Sequence, residues 1–241
     1  IADLANYLHT CGAKITGAGE GTVTITGVSS LKGSEHTIMP DRIVAATYMS
    51  AAASTGGELR LTGICRNDLD SIVPVFEEMG CYVYSYGDSM FIKANKLHSV
   101  KKILTMPYPA FPTDAQAPLM AMTIVARGTS VIVENIFESR FKHVGELKKM
   151  GAGINVEGRV AVIDGSDSLV GAAVESPDLR GGSALVVAGL AAKGVTEIED
   201  IYHIERGYED CLRLYLRVGD DAVWPLSDCR PETRSKKRLL D

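Results

Sequence analysis

The chain has 241 residues, of which 46% are hydrophobic and 23% charged, and its formal net charge is −5. These proportions are typical of a globular protein with a buried core, and the negative charge argues against a nucleic-acid-binding face. Five scattered cysteines form no Cys-x-x-Cys pair and no apolar run reaches membrane-spanning length, so we expect a cytoplasmic protein without a zinc site or a membrane partner.

The first 28 residues resemble the end of a unit that recurs later in the chain. They open with an amphipathic helical pattern, and an alternating segment over residues 23–28 predicts a strand. Residues 11–15 echo residues 150–154. We therefore expect that the chain is part of a longer polypeptide and that residues 1–28 end a preceding, N-terminal barrel.

Three further segments share one plan. Each begins with an Asp after Pro or Pro-Thr, at Asp41, Asp114 and Asp178, and continues with a run of small and apolar residues that ends at a glycine. A strand-like stretch and a second, amphipathic helical stretch follow. The plan predicts three β-α-β-α-β-β repeats, at about residues 29–97, 98–165 and 166–225, in one domain over residues 29–225.

The first helix of each repeat predicts how the repeats pack. Residues 43–53 and 184–192 have no polar face, and a helix that is apolar all round is buried on all sides. The strands and second helices keep charged faces. We therefore predict an inverted (inside-out) α/β barrel, with apolar helices inside and sheets outside. The polar, basic tail over residues 226–241 is predicted to be disordered.

Asp114 and four arginines are the candidate site residues. Asp114 can cap a helix, as its counterparts in the other repeats can, or it can act as a base if it faces a cleft. The arginines lie at helix starts or in loops before helices, where each can pair with a neighbouring acid or all can converge on one anionic ligand. They are Arg42, Arg140, Arg180 and Arg206.

Other polar residues give weaker signals. His143 and His203 have no cluster of cysteines or carboxylates around them, so we interpret them as residues that pack in the core or support the site residues, and we predict no metal. Gly181 and Gly182 are expected to precede a helix, where they could approach a phosphate. No catalytic triad is detectable.

Four motifs resemble a known family, the UDP-N-acetylglucosamine enolpyruvyl transferases. The resemblance runs in order and spacing from residue 1 to about Leu216, and the motifs lie at residues 111–117, 136–141, 178–180 and 201–209. The related enolpyruvylshikimate-phosphate synthases share the fold but not these motifs. Ser139 departs from the pattern, because many relatives have Asn there.

The resemblance implies an enzyme with two inverted barrels and an active site in the cleft between them. It transfers the enolpyruvyl group of phosphoenolpyruvate to UDP-N-acetylglucosamine with release of phosphate, the first committed step of peptidoglycan synthesis, and it needs no metal or cofactor. A Lys-Asn pair and a proton-donating cysteine belong to the other barrel. This chain alone is therefore expected to be inactive, with the missing barrel as its partner.

The resemblance also assigns roles to residues. Asp114 matches the residue that contacts the sugar and deprotonates its attacking hydroxyl, and Ile136 matches one that contacts the UDP-sugar through its backbone. The remaining matches are to charged residues of the cleft, with Arg206 counted as catalytic: Arg42, Arg140, Arg180 and Arg206. Two alternatives stay open, namely a non-catalytic domain that binds nucleotide-sugars or a partner barrel, and enolpyruvylshikimate-phosphate synthase activity.

Overall fold

The computed structural model describes residues 1–208. Ile1–Asp41 form one compact unit, and the described chain from Arg42 onward forms a second. The boundary predicted between residues 28 and 29 falls within the first unit. The end of the predicted third repeat and the predicted disordered tail at residues 226–241 lie outside the described residues, so the disorder stays a prediction.

The first unit contains a helix and a two-stranded sheet. Helix α1 (Ala2–Thr10) is followed by strands β1 (Lys14–Thr16) and β2 (Thr24–Thr26), which pair antiparallel. Nε2 of His36 lies 3.0 Å from Oδ1 of Asp3, and this contact ties the end of the unit to its first helix.

Helices and strands alternate along the second unit, which makes the chain an α/β protein. Its helices are α2 (Arg42–Ser54), α3 (Val73–Glu78), α4 (Thr113–Ile124), α5 (Val144–Lys149), α6 (Leu179–Ala191) and α7 (Tyr202–Glu205), with a 3-10 helix at Arg66–Leu69. Its strands are β3 (Glu58–Thr62), β4 (Tyr82–Tyr86), β5 (Ser89–Lys93), β6 (Ile103–Leu104), β7 (Thr129–Val133), β8 (Gly153–Glu157), β9 (Val160–Asp164), β10 (Ala173–Glu175) and β11 (Glu197–Glu199).

The strands of the second unit form separate sheets, one for each predicted repeat. The orders are β3-β5-β4, β6-β7-β9-β8 and β10-β11. Strands β6 and β7 are parallel, as are β10 and β11, and the other pairs are antiparallel. A parallel pair needs a crossover connection, which α4 and α6 provide. In sequence order the middle repeat is strand, helix, strand, helix, strand, strand.

Helices α2, α4 and α6 form the centre of the second unit, where each packs against the other two. Every residue from Ala115 to Ile124 of α4 is buried, as is every residue from Gly181 to Ala188 of α6. Small side chains let these helix backbones approach closely. The prediction that the apolar helices are buried is confirmed for most of α2 and for residues 184–188 of α6, whereas residues 189–192 are only partly buried. None of the helices within residues 1–208 has the length and hydropathy of a membrane span.

Candidate active site

Asp114 joins two arginines that come from different parts of the chain. It is the second residue of α4, and no side chain caps that helix. Its Oδ1 is ion-paired with Nη2 of Arg140, and its Oδ2 lies 3.3 Å from Nη2 of Arg180. The carboxylate is used for these contacts and not for capping, and its role as a base stays a prediction.

The corresponding residue of the next repeat has a different use. Asp178 is the N-cap of α6, and its Oδ1 accepts hydrogen bonds from the backbone N–H groups of Arg180, at 3.0 Å, and Gly181, at 2.8 Å. Capping of this kind satisfies amides that have no partner within the helix. It also fixes the backbone of Arg180 at the point from which its side chain reaches Asp114.

A buried glutamate supports the loop that carries Arg140. Glu134 directly follows β7 and is 1% exposed. Its Oε1 accepts from the N–H groups of Ile136, at 2.9 Å, and Phe137, at 3.1 Å, and its Oε2 accepts from Oγ1 of Thr113, at 2.9 Å. Glu134 therefore connects this loop to the start of α4. Sequence reasoning missed it, although an acid placed directly after an apolar strand was a visible signal.

The guanidinium of Arg140 is held on two sides. One terminal nitrogen pairs with Asp114, and the group lies over the ring of Phe137, with Cζ 5.2 Å from the ring centroid. The side chain of Arg140 is only 20% exposed. Stacking on an aromatic face leaves the planar fork free to bind anions.

Arg180 is the more buried arginine of the pair, with 14% of its side chain exposed. Its Nη1 donates to the hydroxyl of Tyr208 at 3.3 Å. Burial acts to lower the pKa of Arg180, but Tyr208 and Asp114 outweigh it and the pKa lies above its ordinary value. Tyr208 falls within the motif at residues 201–209, but no pattern in that stretch of sequence indicates its contact with Arg180.

The other predicted arginines, Arg42 and Arg206, make different contacts. Arg42 is the first residue of α2, and its Cζ is 5.0 Å from the centroid of the Tyr108 ring. Arg206 is exposed at the end of α7. Within residues 1–208 no ion pair joins either one to Asp114. The structure therefore brings together two of the four candidate arginines.

His143 and the adjacent glycines belong to the packing behind the site. His143 is 1% exposed, and its pKa is lowered to about 4, mainly by burial. The charge of Asp178 acts to raise this pKa, and that of Arg140 acts to lower it further. Gly181 and Gly182 lie inside α6, so the expectation that they precede the helix is wrong. A Cβ on Gly182 would lie 2.2 Å from Oγ of Ser176, which explains this glycine by close packing.

The site has the chemistry of anion binding next to a base. Two guanidinium groups can bind carboxylate or phosphate oxygens, and the carboxylate between them can accept a proton. Within the part of the chain that the structure describes, no group of three or more His, Cys, Asp and Glu side chains could hold a metal ion.

Comparison with known sequences gives a consistent set of relatives. The sequence profile of EPSP synthase (3-phosphoshikimate 1-carboxyvinyltransferase) matches residues 1–214. UDP-N-acetylglucosamine 1-carboxyvinyltransferase 1 of Caldanaerobacter subterraneus subsp. tengcongensis is 52% identical over 208 residues, which cover 86% of this chain and 50% of that protein. The protein named UDP-N-acetylglucosamine 1-carboxyvinyltransferase in Clostridium botulinum is 47% identical, over 92% of this chain and 54% of its own length. The chain thus spans about half the length of the curated relatives it matches.

Solved structures agree with these sequences. The enolpyruvyl transferase NikO from Streptomyces tendae superposes with a TM-score of 0.81 at 27% identity, over 91% of this chain and 53% of that chain. EPSP synthase from Acinetobacter baumannii gives a TM-score of 0.54 at 20% identity, over 73% of this chain and 44% of its own. This second likeness shows a shared fold.

Proposed function

The chain belongs to the EPSP synthase (3-phosphoshikimate 1-carboxyvinyltransferase) family, and from that membership we propose that it supplies one half of the active site of an enolpyruvyl transferase. The acceptor is UDP-N-acetylglucosamine and the donor is phosphoenolpyruvate. The names of relatives about 50% identical to this chain support the choice of acceptor. The product then enters peptidoglycan synthesis, in the cytoplasm.

The observation that carries this proposal is the contact of Asp114 with both Arg140 and Arg180. The two guanidinium groups balance the negative charge of the Asp114 carboxylate. The anionic groups of phosphoenolpyruvate compete for the same arginines, and their binding frees the carboxylate for proton transfer. Preorganised positive charge of this kind also stabilises an anionic transition state.

The reaction follows from these roles. Asp114 takes the proton from the attacking sugar hydroxyl, whose oxygen forms a bond to the carbon of phosphoenolpyruvate that carries the phosphate. The methylene carbon gains a proton from a donor outside this chain. The same group outside this chain then takes back a proton from that carbon, and the double bond re-forms as phosphate leaves. Arg140, Arg180 and Arg206 bind the phosphoenolpyruvate side, and Arg42 is a further charged position of the cleft.

Ile136 is proposed to contact the nucleotide-sugar through its backbone. Its N–H already donates to Glu134 at 2.9 Å, which leaves the carbonyl oxygen as the group that meets the ligand. The hydrogen bonds of Glu134 fix the direction of this carbonyl, so the loop is shaped before the ligand binds.

The finer architecture is also part of the proposal. The mutual packing of α2, α4 and α6, with one sheet for each repeat, supports an inverted α/β barrel of three β-α-β-α-β-β repeats. A second, N-terminal barrel completes the site. Because half of the site lies on that barrel, the chain alone has no turnover.

A chimaera tests the proposal. The matching half of the Caldanaerobacter relative is replaced by this chain, and phosphate release from phosphoenolpyruvate is measured with UDP-N-acetylglucosamine, with 3-phosphoshikimate and with neither. We expect release only with the nucleotide-sugar, and none at all from the 241-residue chain alone. Release with 3-phosphoshikimate would assign the other acceptor, and turnover by the chain alone would refute the shared site.

A further inference from the structure

A chain of hydrogen bonds runs from the candidate site into the helical core. Nη1 of Arg180 lies 3.3 Å from the hydroxyl of Tyr208, and that hydroxyl lies 2.8 Å from Oγ1 of Thr47. Oγ1 of Thr47 is in turn 2.9 Å from the carbonyl oxygen of Ile43. Tyr208 is 2% exposed and Thr47 is fully buried, so water does not compete for these groups.

The number of hydroxyl protons determines which group donates in each of these hydrogen bonds. Thr47 has one hydroxyl proton, which it donates to the carbonyl of Ile43, because a carbonyl can only accept. Thr47 must therefore accept the proton of Tyr208. The phenol oxygen of Tyr208 then presents its lone pairs to Arg180, and each hydroxyl proton is used once.

We propose that Tyr208 is a positioning residue for Arg180, holding its guanidinium toward Asp114 without neutralising its charge. A carboxylate at the same place would bind Arg180 more strongly and cancel its positive charge. A neutral acceptor fixes the geometry and leaves that charge for Asp114 or for an anionic substrate. This last step rests on the function proposed above.

The arrangement joins the three repeats at one point. Thr47 lies on α2 of the first repeat, Asp114 on α4 of the second, and Arg180 on α6 of the third. Tyr208 lies beyond α7, and its hydroxyl contacts Thr47 of the first repeat and Arg180 of the third. The position of Arg180 therefore depends on all three central helices, although only one of them carries it.

The first test needs no activity. Rotation of the Arg180 guanidinium about its Nε–Cζ bond is measured by NMR in the 241-residue chain, with Arg180→Lys identifying the signal. We expect faster rotation in Tyr208→Phe than in the parent, and a smaller increase in Thr47→Val, which keeps the phenol oxygen. Tyr202→Phe is the matched control, since Tyr202 is 60% exposed on α7, and it should leave the rotation unchanged. Equally slow rotation in Tyr208→Phe and the parent would overturn the proposal.

The second test uses the chimaera. Tyr208→Phe should lower kcat/KM for phosphoenolpyruvate by about 10- to 100-fold, the loss expected for one hydrogen bond to a charged group. The same change in an Arg180→Lys background should cost much less, because the two residues act as a unit. Equal losses in both backgrounds would refute positioning through Arg180. Should the parent chimaera be inactive, the proposed function fails while the NMR measurement still decides the role of Tyr208.

Discussion

Oδ2 of Asp114 lies 3.3 Å from Nη2 of Arg180, although 66 residues separate the two along the chain. Each is the second residue of its helix, Asp114 in α4 and Arg180 in α6. Because the two helices pack together in the core, the starts of the first helices of successive repeats bring an aspartate and an arginine into contact. The repeat thus builds the site from helix starts.

Asp114→Asn tests the proposed base. The amide is nearly the same shape but cannot accept the hydroxyl proton, so in the chimaera kcat should fall by about 10²- to 10⁴-fold. The melting temperature should change little, because the carboxylate is 43% exposed and partly solvated pairs contribute little to stability. Steady-state phosphate release and thermal unfolding are the measurements.

Asp41→Asn is the matched control for that substitution. Asp41 stands at the corresponding place directly before α2 and is exposed. Its replacement should leave kcat unchanged. A normal kcat in Asp114→Asn would remove Asp114 from the base role, and an equal loss in both variants would point to a general effect of charge.

Glu134 should make a large contribution to stability through its three hydrogen bonds. Glu134→Ala leaves three part-buried donors without their acceptor and should lower the free energy of unfolding by about 2–4 kcal/mol. Thr113→Val removes one of these bonds and should cost about 1–2 kcal/mol. Urea unfolding of the chain measures both.

Glu134→Gln is the discriminating variant. Its amide oxygen can still accept from Ile136 and Phe137, and its NH2 group can donate to Thr113 if that hydroxyl turns round. We expect the free energy of unfolding to change by no more than about 1 kcal/mol. A loss as large as that of Glu134→Ala would mean that the charge of Glu134, and not its hydrogen bonds, holds the loop.

Much of the core could be predicted from sequence because burial follows from composition. Residues 43–53 have no polar face, and α2 is buried over most of its length, as expected. The site was harder to predict from sequence than the core. Asp41, Asp114 and Asp178 look alike in the repeat, yet Asp178 caps its helix while Asp114 binds two arginines.

The contacts that separate such look-alike residues are made by side chains distant in sequence. Tyr208 is hydrogen-bonded to Thr47, which is 161 residues away in sequence, and the residues around neither one indicate this partner. Glu134 reaches Thr113 across 21 residues. Periodicity predicts which face of a helix is buried, but it does not identify the polar partners that a buried hydroxyl or carboxylate finds.

Two glycines in helices should respond to alanine in opposite directions. At Gly182 the added methyl group would lie 2.2 Å from Oγ of Ser176 and 2.6 Å from Cγ1 of Ile204, so Gly182→Ala should cost about 1–3 kcal/mol. At Gly145, in α5, nothing lies within 4 Å of the new Cβ. Gly145→Ala should therefore stabilise the chain by about 0.5–1 kcal/mol through helix propensity. Thermal unfolding checks the signs, and a neutral Gly182→Ala would show that α6 can shift.

His143 should make the stability of the chain depend on pH. Its pKa is lowered from 6.5 to about 4, first by burial and further by Arg140, while Asp178 acts in the opposite direction. Between these two values the unfolded chain binds a proton at this residue and the folded chain does not, so stability falls as the pH drops from 6.5 to 4. Above pH 6.5 His143 is neutral in both the folded and the unfolded chain, so no stability is lost through its protonation. The loss amounts to about 3 kcal/mol at its limit.

The measurement compares the free energy of unfolding at several pH values in three chains. In His143→Gln the residue no longer titrates, so the part of the pH dependence that it causes should disappear, whatever the variant does to stability at pH 7. His9→Gln removes an exposed histidine on α1 and is the control for the substitution itself. If His143→Gln kept the slope of the parent chain, His143 would bind its proton equally well in the folded and the unfolded chain, and the predicted pH dependence would be wrong.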